Sequence, residues 1–190
     1  MEIPKRYQHL QSHAPDKPIG FGYKTVWYAV KCYDNELVAE ALFDEEYKSC
    51  DWVEGTIRAY TRQGIFVLPV IKGWVLVHGL ALPQPDQYVY FQTTENFLNK
   101  LSARFGEAQF FASHRVVGLY CWARSRDGYL SRLYMMMEGE ETMTGMPSTI
   151  EENLGYGEEE VLKVAEAWSI NPSNLASFTN LAASGFYGSL

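Results

Sequence analysis

Val116-Val117-Gly118-Leu119-Tyr120-Cys121-Trp122-Ala123-Arg124-Ser125 and Tyr129-Leu130-Ser131-Arg132-Leu133-Tyr134-Met135-Met136-Met137 flank Arg126-Asp127-Gly128, and the fold reading turns on this stretch. Asp-Gly between two runs rich in aromatic and β-branched residues is a strong hairpin signal, because both residues tolerate the positive φ of a type I′ turn. A two-residue turn here predicts Trp122 opposite Leu133 and Tyr120 opposite Met135 on one face. Cys121 with Tyr134 and Leu119 with Met136 are expected on the other. Both faces are apolar away from the turn, so the hairpin is expected to be central and covered on both sides. Arg124, Arg126 and Arg132 are expected at the turn end, where the sheet meets water.

Working outward, Thr25 to Tyr33 reads as a strand, with Asp34 as cap for a short helix striped by Leu37, Val38, Ala41 and Leu42. Asp51 and Glu54 have capping-box spacing before Val53, Ile57 and Tyr60, with Gly64 as stop. Ile65–Pro69 and Trp74–Leu80 read as a hairpin split near Lys72-Gly73. Thr93 or Thr94 caps a helix carrying Phe97, Leu98, Leu101 and Phe105, stopped by Gly106. Glu138 to Glu160 reads as a connector. Glu158 to Ile170 is a helix with Val161, Val164, Ala165 and Trp168 on one face, and Asn171-Pro172 restarts the chain. Residues 1–20, with Pro4, Pro15 and Pro18, read as a loosely ordered lead-in to a single globular domain over 21–190. The fold class is α+β: a mainly antiparallel sheet with a central hairpin turning at Asp127-Gly128 and helices packed on it. Trp27, Trp74, Phe97, Leu101, Trp122 and Trp168 are the expected core.

The 190 residues are 47% hydrophobic and 21% charged, with net charge -7. That composition is globular. The charge argues against nucleic acid and anionic membrane as partners and favours a basic protein. Cys32, Cys50 and Cys121 have neither disulfide-framework nor zinc-ligand spacing, so free thiols and no metal are expected. The first residues lack an apolar signal region, and no apolar run has membrane-spanning length, so a cytoplasmic protein is expected. Phosphate-loop, dinucleotide, nucleophile-elbow and metalloprotease patterns are missing, so no cofactor and no catalytic residue is assigned.

Three constellations invite chemistry. His114 beside Arg115 suggests a base with an anion clamp, against the plainer reading of a sheet-edge histidine. Cys121 with His78 or His114 imitates a nucleophile pair, although a mid-strand thiol is ordinarily inert. Paired glutamates suggest acid–base work, but they stand in a polar segment. More informative is charge segregation. Between Glu138 and Glu160 lie eight of the 23 acidic residues and no Lys, Arg or His. Helix-dipole bias accounts for Glu158, Glu159 and Glu160 only. The expected partner-binding set is therefore Glu138, Glu140, Glu141, Glu151, Glu152, Glu158 and Glu159, with Asp44, Glu45 and Glu46 as a further contribution. Met143 and Met146 would add adaptable apolar contact.

Gly22-Tyr23-Lys24-Thr25-Val26-Trp27-Tyr28-Ala29-Val30, Phe110-Phe111-Ala112-Ser113-His114-Arg115-Val116-Val117, Trp122-Ala123-Arg124 and Ala167-Trp168-Ser169-Ile170-Asn171-Pro172 together resemble a family of uncharacterised bacterial cytosolic proteins. In type, the chain also resembles toxin-neutralising immunity proteins: small, acidic and free of catalytic motifs. That resemblance implies a non-enzymatic binding protein that occludes the active site of a basic bacterial toxin. The alternatives are a cryptic hydrolase or transferase around His114 and Arg115, and a small-ligand or scaffold module.

Overall fold

A computed structural model describes residues 3–43, 46–86 and 91–190. In chain order the regular elements are β1 (Thr25–Lys31), α1 (Asn35–Leu42), β2 (Lys48–Asp51), α2 (Trp52–Thr61), β3 (Ile65–Val67) and β4 (Trp74–His78). Then follow α3 (Gln92–Phe105), β5 (Glu107–His114), β6 (Leu119–Arg126), β7 (Tyr129–Met137), β8 (Glu140–Thr144), α4 (Glu158–Trp168) and β9 (Ser184–Gly188). The strands form one sheet in the order β2-β9-β3-β4-β1-β5-β6-β7-β8. Each adjacent pair is antiparallel.

Helices cover both faces. Strand alternation sends Val26, Tyr28 and Val30 of β1 to the side closed by α1 and α3, where they meet Val38, Leu42, Leu98 and Leu101. Trp27 and Ala29 point the other way, to α2 and α4, among Trp52, Ile57, Val161 and Val164. Burial on both faces is why β1 reads as an unbroken apolar run. The α+β class is thus an antiparallel sheet between two helical layers.

The hairpin at Asp127-Gly128 forms, with φ of 49° and 89° at its two turn residues. It lies inside the sheet with β5 and β8 as neighbours, while the middle place belongs to β1. Apolarity on both faces reports cover by helices and says nothing of rank in the strand order. The register differs from expectation by one residue. Arg126 pairs with Tyr129 and Ser125 with Leu130, but Arg124 pairs with Arg132, leaving Ser131 as a bulge. The Ser131 hydroxyl donates to the Arg124 carbonyl at 2.9 Å. Beyond the bulge every β7 side chain changes face, since side chains alternate with period two. Trp122 therefore stacks on Tyr134 with ring centroids 4.2 Å apart, and Cys121 faces Met135.

Asp34 and Asp51 cap as expected, accepting from the amides of Glu36 at 2.9 Å and Glu54 at 2.8 Å. The Glu54 carboxylate turns forward to Arg58 at 2.8 Å, which leaves the return half of that capping box unmade. Helix α2 stops at Arg62, in the left-handed region with φ 59°, before Gly64 is reached. Thr94 is buried inside α3, which begins after Phe91. In the lead-in, Lys5–Ser12 is a 3-10 helix, Tyr7 stacks on Tyr60, Leu10 and Ile19 are buried, and the Pro15 carbonyl accepts from the Trp52 amide. Three prolines discourage regular structure, but the apolar residues between them still have a core to join. Of the expected core, Trp27, Leu101 and Trp122 are buried, whereas Trp74, Phe97 and Trp168 are half-buried.

Candidate docking edge

Glu138 and Gly139 carry φ of 52° and 87°, which makes them a second two-residue turn of the type I′ kind. The segment read as a connector therefore begins with a hairpin. Met137 pairs with Glu140, Met136 with Glu141, Met135 with Thr142, Tyr134 with Met143 and Leu133 with Thr144. Strand β8 closes one end of the sheet, and all five of its residues are exposed. Glu138 in the turn, and Glu140 and Glu141 on a strand that has one strand neighbour among the described residues, thus stand in water. Met143 and Met146 beside them are exposed too. Burial and the Glu141 carboxylate push the Tyr134 phenol up to about 12.

The structure divides the other expected partner-binding residues. Glu152 and Glu159 are exposed, and Glu159 accepts from the Tyr23 hydroxyl at 2.7 Å. Glu46 is exposed, while Asp44 and Glu45 lie outside the described residues. Glu158 is turned inward, accepting from Ser113 at 3.0 Å and facing Arg115 at 3.9 Å. Glu151 is a correction of the sequence reading. It is buried, and its carboxylate accepts from Trp122 Nε1 at 2.7 Å, Arg132 Nε at 2.8 Å, and the Ser148 amide and hydroxyl at 2.6 Å each. Burial alone would raise this carboxyl. The donors from Ser148, Trp122 and Arg132 outweigh it and hold the group below its ordinary value. Arg132 is equally misread as a solvent-edge residue, being 3% exposed and bonded to the carbonyls of Thr144 and Gly145. Nothing local marked these two as a pair, because the bulge at Ser131 decides which way Arg132 points.

The nucleophile readings are separated by the sheet itself. Cys121 lies on the α1/α3 side and His78 on the α2/α4 side, next to Phe21. Burial raises the Cys121 thiol well above its usual range and lowers His78 to about 3, with His78 Nε2 2.9 Å from the Thr25 hydroxyl. All three cysteines are free. Ser113 and His114 are adjacent on β5 and so face opposite sides. Glu158 meets Ser113 and Arg115, and His114 Nδ1 is buried with no hydrogen-bond partner among the described residues. Among the described residues no group of three or more His, Cys, Asp or Glu could hold a metal ion, and no helix is long and apolar enough to cross a membrane.

A cleft of about 670 Å³ lies elsewhere, between the β3–β4 turn and the end of α4, with Lys72, Glu166, Asn171, Asn174 and Asn180 on its walls. Another, of about 340 Å³, is lined by Tyr7, Tyr23 and Tyr60. Neither touches His114. Comparison with protein-family models, with curated proteins and with solved structures finds no match.

Proposed function

We propose that this chain is a non-enzymatic binding protein that takes a basic protein partner on the β8 side of its sheet. In its specific form it is a bacterial cytosolic immunity protein, and the partner is a toxin domain whose active site it covers. The observation that carries this reading is the exposed β8 edge, with Glu138, Glu140 and Glu141 on it and no cation beside them in sequence. A toxin that acts on an anionic substrate lines its groove with cations. Carboxylates placed across that groove speed encounter and exclude the substrate. Glu151 and Glu158 are withdrawn from the docking set, because they are turned away from solvent onto internal donors. Glu138, Glu140, Glu141, Glu152 and Glu159 are kept.

The test asks first whether a toxin-bearing protein is encoded beside this chain, and then whether this chain protects cells challenged with it; absence of such a neighbour counts against the toxin form of the reading. Wild type is expected to protect, and a folded Glu140→Lys/Glu141→Lys variant to fail, with the association rate of the purified pair falling as salt rises. Protection by the charge-reversed variant overturns the reading. A second reading, a small-ligand module, is favoured by the polar 670 Å³ cleft holding Lys72 and Glu166. A thermal-shift screen of polar metabolites tests it, with the response lost in Glu166→Ala.

A further inference from the structure

We infer that the partner docks by adding an extended basic strand to β8, antiparallel to it. This rests on the reading of a basic partner given above and specifies how that partner is held. Strand β8 is last in the sheet order, and among the described residues no strand lies beyond it. Its pairing with β7 starts from the two-residue turn at Glu138-Gly139, so the flanking pair Met137–Glu140 is a hydrogen-bonded one. Antiparallel ladders alternate bonded and non-bonded pairs. Glu140, Thr142 and Thr144 therefore direct their amides and carbonyls at β7. Glu141 and Met143 direct theirs away from the sheet, where no backbone partner exists among the described residues. These outward groups are the template on which an added strand pairs.

Side chains decide which strand fits. Glu141 and Met143 stand on the face of Tyr134 and Met136, and Glu140 and Thr142 on the opposite face. An antiparallel guest aligned with Met143, Thr142, Glu141 and Glu140 in turn needs an apolar residue, any residue, then two consecutive Lys or Arg. One cation then meets each glutamate on its own face, and the apolar side chain lies on Met143. A second copy of this chain is a poor guest, because its residues 138–144 hold three glutamates and no Lys or Arg to meet Glu140 and Glu141. Many proteins protect a free edge with lysine or proline, and residues 140–144 contain neither.

The test uses a fluorescent peptide of about twelve residues with Leu-Thr-Arg-Arg at its centre, and the same peptide N-methylated at the two amides that would face Glu141 and Met143. Methylation removes the main-chain donors and leaves the charge unchanged. Wild type is expected to bind the plain peptide, more tightly at low salt, and the methylated one at least tenfold more weakly. In the protein, Met143→Pro deletes an outward amide without touching the β7 ladder and is expected to lose binding to the same extent, while Met143→Ala keeps it. Equal binding of both peptides overturns strand addition while leaving a basic partner in place. Binding undiminished by Glu140→Lys/Glu141→Lys overturns the basic-partner reading itself. Failure of the plain peptide to bind, or a wild-type dimer that Met143→Pro dissociates, also overturns the proposal, the latter in favour of a second copy.

Discussion

Glu151 and Glu152 are neighbours in the chain, and their circumstances have little in common. The side chain of Glu151 is 3% exposed and takes hydrogen bonds from a tryptophan, an arginine and a serine; Glu152 is in water. The same division separates Glu158 from Glu159, and the whole β8 edge from the Glu151 cluster below it. A run of like charges in a sequence is therefore two populations. One acts on the outside as a field, and the other is consumed inside as acceptors for buried donors. The difference teaches that the docking set cannot be counted from glutamates alone. It has to be counted from glutamates whose carboxylates stay exposed to solvent.

The largest test of that division is Glu151→Ala. It leaves Arg132 and the Trp122 indole buried without their acceptor, so a loss of about 3–5 kcal/mol is expected in the denaturant midpoint. The double variant Arg132→Met/Glu151→Leu is expected to recover much of it, since removing both charges removes the orphan. A Glu151→Ala loss no larger than that of Glu152→Ala would erase the distinction between the two neighbours.

Next in size is Gly145→Ala, at the seam between the two regions. Gly145 has φ of 72°, and a Cβ there would overlap the Ser131 carbonyl oxygen. Strain plus displacement of the Gly145 carbonyl from Arg132 predicts a loss of about 2 kcal/mol in the same measurement.

Acid sharpens the comparison further. The Glu151 carboxyl is held below its ordinary value in the folded protein, so its contribution is full at neutral pH. That contribution begins to fall as the pH passes the unfolded value of about 4.3, and it is gone once the pH is below the folded one. Melting temperature measured from pH 6 down to 3 is expected to drop less steeply in Glu151→Gln than in wild type. An equal slope would place the acid sensitivity elsewhere. The smallest expected effect is that of Glu140→Lys/Glu152→Lys, whose midpoint is expected within about 0.5 kcal/mol of wild type.

Local signals carried much of this fold. Asp127-Gly128, the Asp34 and Asp51 caps, and the helical stripes at Leu98 and Leu101 and at Val161, Val164 and Ala165 were readable because each needs only a few consecutive residues. The Ser131 bulge was not, since a two-residue turn implies a simple register and the extra residue declares itself only in three dimensions. Strand β8 escaped notice because Glu-Gly is a weak turn signal and Glu140 to Thr144 buries nothing. Strands β2 and β9 are short, and they pair across more than half of the chain. For the candidate site, the exposure of Glu140 and Glu141 follows from a segment that offers no counter-ion. The burial of Glu151 depends on Arg132, a partner from another strand.

Strand β9 sits between β2 and β3, and it is the strand neighbour of both. During synthesis β2 leaves the ribosome long before any strand that can bond to it exists. Until residues 184–188 emerge, β3 stands as an unprotected border of the growing sheet and β2 has nowhere to dock. Assembly of the sheet is thus vectorial: one flank forms as it is made, while the other waits for residues 184–188.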